Sequence, residues 1–325
     1  MSENILTAIL ASGTLATWGW LVARAISGKP ALPLRPPSAT AAWGPQHVAF
    51  GLLSVVLFQV IAHSIFVTLR PSPADLAEVP LVEQAKLQLV VSFASLLAAV
   101  FSLWFITQTT RNTISDVGMG FRPLLTGILF GLIGFFCFAA PSYILNMLLQ
   151  SLDQRIHPVV ESLLNSRDMP FFTYSCISVV LLSPLYEEII CRLILQGWLQ
   201  AVFAGQRNRN DTFPSQRVLL SLQDGETADE FTLRIKNSLL QAETLEDPSD
   251  PPPPRPTCWP SILLSSFFFA ILHLGAGWAS VISLFLFAIG LGLVYQRTGR
   301  LFPCIVMHMT LNAFTMLMLY LEITG

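Results

Sequence analysis

Charged side chains are scarce in this chain of 325 residues: Asp, Glu, Lys and Arg together make up 12% of it, about half of what a soluble domain of ordinary composition carries. Hydrophobic residues make up 53%, so the solvent for most of the chain is lipid. An excess of basic charge is missing as well, with 18 Lys and Arg against 20 Asp and Glu. That near balance leaves no basic stripe for a nucleic acid and excludes a polynucleotide partner. The five cysteines, Cys137, Cys176, Cys191, Cys258 and Cys304, form no C-x-x-C pair, and they read as small apolar residues, not as a disulfide framework or a zinc knuckle. The first residues, Met-Ser-Glu-Asn, lack the positive n-region of a secretory signal, so the apolar run behind them reads as a retained span.

Long apolar runs are present in abundance. A helix needs about 20 mostly apolar residues to cross the hydrocarbon, because every backbone polar group must be satisfied within the segment. Eight runs qualify, near residues 4–24, 47–69, 87–107, 123–149, 171–199, 259–275, 278–296 and 302–322. The expected fold is an all-α polytopic membrane bundle of about eight transmembrane helices. Residues 1–122 hold the first three helices, and residues 123–325 hold a core of helices four to eight with a polar insertion at about 200–258. Within that insertion, Pro251 to Pro254 form a stiff spacer and Thr227 with Glu230 make a capping-box pattern for a short amphipathic helix. Residues 151–170 read as an interfacial helix. Of the Lys and Arg in the connections, 13 fall on the side of the 200–258 loop and four on the other, which predicts that this loop is cytoplasmic and that both termini lie outside.

A charge at the bilayer centre costs on the order of 2.5–3.5 kcal/mol, so each one inside a span calls for a reason. One span carries a cluster, Ser183-Pro-Leu-Tyr-Glu187-Glu188-Ile-Ile-Cys-Arg192. Glu188 and Arg192 stand at i and i+4 with the acid first, the favourable order for an ion pair. Glu187 points about 100° away round the helix and needs water or another partner. Pro184 removes a backbone donor and leaves the carbonyl of Val180 free in α-helical register. Two histidines fall in later spans, in Phe269-Ala-Ile-Leu-His273 and in His308-Met-Thr-Leu-Asn312. A carboxylate beside an imidazole can take a proton from water, while imidazole and amide donors can hold an oxyanion. Against this stand the plainer readings: His63 as a helix-packing group, His47 and His157 as interfacial, Cys191 as packing and not a nucleophile, and Gly127-x-x-x-Gly131 as a close helix contact.

At these three places together the chain resembles the CPBP family of intramembrane endopeptidases, the CAAX-protease and bacteriocin-processing family, also called type II CAAX prenyl endopeptidases. The segment Gly292 to Pro303 before the third motif is similar to that family too. The resemblance implies Glu187 and His273 as the pair that activates water, His308 and Asn312 as the pair that stabilises the oxyanion, and Glu188, Arg192 and Phe269 in support. It implies a peptidase acting on a membrane-associated protein or peptide, the family name pointing to a prenylated tail; the residues make an adequate acid–base and oxyanion set without a cofactor. Leu193 stands where a glycine is common in the family, and the loop between the first two motifs is unusually long. Two other readings stay open. A zinc peptidase could use Glu187, His273 and His308 as ligands, although His-Glu-x-x-His is absent. A transporter or immunity-type membrane protein could place acids and histidines on an ion path.

Overall fold

A computed structural model of the chain describes residues 2–29, 43–69, 80–110, 119, 124–153, 158–203 and 257–325. The expected helix at Thr227–Glu230, the proline run and His157 lie outside the described residues. All regular structure among the described residues is helical. Helices α1 (Ser2–Ile26), α2 (Pro45–Thr68), α3 (Leu81–Thr110) and α4 (Leu124–Gln150) are followed by a short α5 (Pro158–Ser166) at the place expected for an interfacial helix. The chain then runs helically from Met169 to Phe203 in five pieces: α6 (Met169–Cys176), a π segment (Ile177–Leu182), α7 (Ser183–Glu188), a second π segment (Ile189–Gln196) and α8 (Gly197–Phe203). Three helices complete the bundle: α9 (Trp259–Ile271), α10 (Trp278–Thr298) and α11 (Leu301–Thr324).

Six of these helices, α1 to α4, α10 and α11, are long and apolar enough to cross a membrane, and the protein is an integral, multi-pass membrane protein. The two other expected spans take different forms. The fifth is the composite 169–203 helix, whose α register is interrupted twice. The sixth ends at Ile271, after 13 residues, and continues as a turn through Gly277, whose φ of +88° suits glycine alone among the residues.

Small residues set the helix spacing. A Cβ on Gly131 would stand 2.7 Å from the Pro303 carbonyl oxygen, and one on Gly127 2.5 Å from the Phe302 ring. The Gly127-x-x-x-Gly131 pattern is therefore the contact surface of α4 on α11, as its small-residue spacing predicts. Helix α4 also packs on α10, α2 runs along α3, and α9 pairs with α10. Polar links stand in for the hydrophobic effect that lipid does not provide: Ser54 with Ser102 at 2.9 Å, Ser92 with Ser178 at 2.6 Å and Gln59 to Ser95 at 2.9 Å. Trp43 donates from Nε1 to the Ile194 carbonyl at 2.9 Å. The absent side chain of Gly197 admits that indole ring, since a Cβ there would stand 2.7 Å from it. The α2 entry is thus fixed against the second π segment. Asp153, after α4, accepts the backbone N–H of Trp278 at 2.8 Å and caps α10 from a distance.

Candidate active site

Glu187, Glu188 and Arg192 lie where α7 passes into the second π segment, and all three are buried, Glu188 and Arg192 completely. Arg192 Nε donates to Glu188 Oε2 at 3.1 Å, the i, i+4 pair that the order of acid and base predicts. The guanidinium also stands 5.2 Å from the centroid of the Phe269 ring, a cation–π contact between the composite helix and α9. Two ions can remain in so dry a place only because each neutralises the other.

His308, on α11, enters between the two glutamates. Its Nδ1 is 2.9 Å from Glu188 Oε1, and its Nε2 is 3.8 Å from Glu187 Oε2. The first distance is a hydrogen bond and the second is too long for one. Since Glu188 Oε2 is taken by Arg192, its carboxylate is an acceptor on both sides, which makes His308 Nδ1 the donor. Glu187 Oε2 is buried and accepts no hydrogen bond from any of the described residues. The Phe269 ring meets His308 edge-on, with centroids 5.5 Å apart, and lies 4.8 Å from that of His273.

His273 is not deep within a span, as its place in the sixth apolar run suggests. It follows the end of α9 and is half-buried, because the helix stops at Ile271. Its Nδ1 lies 2.9 Å from the Phe269 carbonyl oxygen. A carbonyl only accepts, so Nδ1 carries the hydrogen, and in the neutral ring Nε2 is then the acceptor.

Asn312, one turn beyond His308, donates from Nδ2 to the Val179 carbonyl at 2.7 Å. The sequence places the carbonyl orphaned by Pro184 at Val180, on the assumption of α register. In the π segment the N–H of Ser183 bonds to the carbonyl five residues back, Ser178. The next donor in that register would be Pro184, aimed at Val179, and proline has none. The unmet carbonyl is thus one residue earlier than α geometry implies, and Asn312 supplies its donor.

Two buried polar residues were not singled out by the sequence, Gln196 and Ser265. Their signal is present in hindsight: Glu188, Arg192 and Gln196 repeat every four residues, as do Ser265, Phe269 and His273. His63 is exposed on α2, while His47 is buried at its start and pairs through Nε2 with Thr109 at 2.8 Å. Cys191 is buried, and no disulfide joins the five cysteines. Among the described residues no three His, Cys, Asp or Glu side chains gather as a metal set; the site groups a single imidazole with two carboxylates, and His273 is held to its own helix.

Residues 239–314 match the family model described as Type II CAAX prenyl endopeptidase Rce1-like. Neither curated proteins nor solved structures give a match. The matched stretch holds the second and third motifs, Phe269 to His273 and His308 to Asn312, and the folded chain brings the first motif, Glu187 to Arg192, against them. The family the motifs resemble and the family whose model matches are the same, and the match to this chain spans residues 239–314.

Proposed function

We propose that this protein is an intramembrane CAAX-type endopeptidase in which Glu187 activates the hydrolytic water. The observation that carries the reading is the position of Glu187: a buried carboxylate whose Oε2 accepts no hydrogen bond from the described residues and stands 3.8 Å from His308 Nε2. A base needs an unengaged acceptor, and an oxyanion needs a donor nearby. This pair offers both side by side.

In the proposed reaction Glu187 takes one proton from water while the second O–H, which stays on the attacking oxygen, donates a hydrogen bond to His273 Nε2, whose Nδ1 is engaged with Phe269. The water oxygen adds to the scissile carbonyl. The oxyanion so formed is met by His308 Nε2–H and by the second Nδ2 hydrogen of Asn312, the first being occupied by Val179. As the C–N bond breaks, Glu187 returns its proton to the leaving amine. Because Nδ1 already donates to Glu188, the Nε2–H used in this step requires the ring of His308 to carry hydrogen on both nitrogens.

The substrate class follows the family: a membrane-associated protein or peptide whose C-terminal tail is prenylated. Mass spectrometry of a farnesylated CAAX peptide incubated with purified protein in bilayer discs tests the reading. Wild-type protein is expected to release the terminal tripeptide, and Glu187→Gln to lose roughly 10²- to 10⁴-fold in turnover with normal accumulation. Full activity of Glu187→Gln would remove Glu187 from the chemistry.

A further inference from the structure

The buried cluster does not end at Arg192. Arg192 Nη1 lies 3.5 Å from Ser265 Oγ, on α9, a long contact at the outer limit of a hydrogen bond. The Ser265 hydroxyl has its one hydrogen within reach of two acceptors, Gln196 Oε1 at 3.2 Å and the Ile262 carbonyl at 3.1 Å, and Gln196 Nε2 donates to the Gly292 carbonyl on α10 at 2.9 Å. Gln196 and Ser265 are both completely buried. The Gly292 carbonyl only accepts, so it sets which end of the Gln196 amide faces α10 and leaves Oε1 facing Ser265. Gly292 is built for this approach: a Cβ there would stand 3.0 Å from Gln196 Oε1 and 3.0 Å from Ile262.

From these contacts we propose that Gln196 is a positioning residue for His308, acting through Ser265, Arg192 and Glu188. Each member has one degree of freedom removed by the next. Gln196 orients Ser265, Ser265 meets the guanidinium at Nη1, the guanidinium holds Glu188 Oε2, and Glu188 Oε1 then fixes the ring of His308 through Nδ1. The chain links the composite helix to α9, α10 and α11, so it also sets the distance between His308 Nε2 and Glu187. Neither Gln196 nor Ser265 touches the reacting atoms. Removing either frees Arg192 to reorient, and a buried polar network in which one member is lost loses the geometry of the others. The kinetic consequence rests on the peptidase reading; the placement of His308 does not.

Two measurements on full-length protein in detergent test this. The first is nitrogen-15 spectroscopy of histidine-labelled protein, which has five histidines, with the His308 signal identified by its loss in His308→Gln. Gln196→Met and Ser265→Ala are expected to move the His308 ring nitrogen shifts. Ser283→Ala, which removes a buried hydroxyl bonded to Asn146 at 3.1 Å on the far part of α10, is expected to leave them in place. The second is turnover of the farnesylated peptide: kcat is expected to fall about 10- to 100-fold in Gln196→Met and Ser265→Ala, the range usual for lost supporting hydrogen bonds around a site, with KM nearly unchanged and the pH dependence of kcat displaced. Unmoved His308 shifts in folded Ser265→Ala and Gln196→Met overturn the proposal; if Gln196→Met does not fold, Ser265→Ala alone decides. A wild-type protein that cleaves nothing refutes the peptidase reading and leaves the spectroscopic result to judge the positioning role.

Discussion

Asn312 donates to the carbonyl of Val179 across 2.7 Å, tying the last helix to the point where the composite helix leaves α geometry. The bond fills a place that Pro184 leaves without a donor, so its energetic role can be separated from any part Asn312 has in chemistry. Asn312→Leu leaves a half-buried carbonyl unpaired, a loss of about 1–3 kcal/mol. Pro184→Ala restores an N–H at the missing position, and the double variant is expected to regain part of that stability. Turnover is expected to stay low in the double variant, because the second amide hydrogen of Asn312 is still gone. Thermal unfolding and peptide cleavage of the two single variants and the double variant decide the matter; recovery of both together would make Asn312 purely structural.

Glu188 is expected to behave differently from Glu187, although the two are neighbours. Glu188→Gln leaves the buried Arg192 without its counter-charge, which costs about 3–5 kcal/mol when one partner of such a pair is removed. Adding Arg192→Met should recover much of the stability. It should not recover turnover, because His308 Nδ1 has then lost its ionised acceptor. A Glu188→Gln protein as stable as wild type would show that the ion pair contributes little.

Cleavage is expected to survive strong chelators, since in the proposed reaction Glu187, His273, His308 and Asn312 would serve as an acid–base and oxyanion set without a metal ion. Metal analysis of purified protein, paired with turnover before and after chelation, checks this. One equivalent of zinc, with activity lost on chelation and restored by zinc, would replace the water-activating reading with the zinc one.

The 200–258 loop is expected on the cytoplasmic side, from the excess of Lys and Arg in the connections on its side of the membrane. A cysteine introduced there, in a background lacking the five native ones, should resist impermeant thiol reagents in intact cells and react after permeabilisation. Labelling in intact cells would invert the topology.

The ion pair of Glu188 and Arg192 was readable from the chain because both residues sit on one helix, four apart, and local spacing fixes the approach. The close contact of α4 on α11 was readable as well, since glycine at Gly127 and Gly131 leaves backbone open whatever the partner. The length of the sixth span was not. The apolar run continues to Gly275, but the helix ends at Ile271, and hydropathy cannot distinguish a helical from a turning apolar backbone. That difference places His273 in a turn and not within a span.

By itself the sequence determined that this is a helical membrane protein, where its charges are, and which neighbours along one helix neutralise each other, because these follow from composition and from the 3.6-residue period. Tertiary structure decided the rest. His308 meets Glu188 from 120 residues away, Asn312 reaches Val179 from 133, and Gln196 reaches Gly292 from 96. No local rule fixes such pairs. They exist because buried donors and acceptors in lipid must find partners inside the protein, and only the packing of α9, α10 and α11 on the composite helix determines which ones they find.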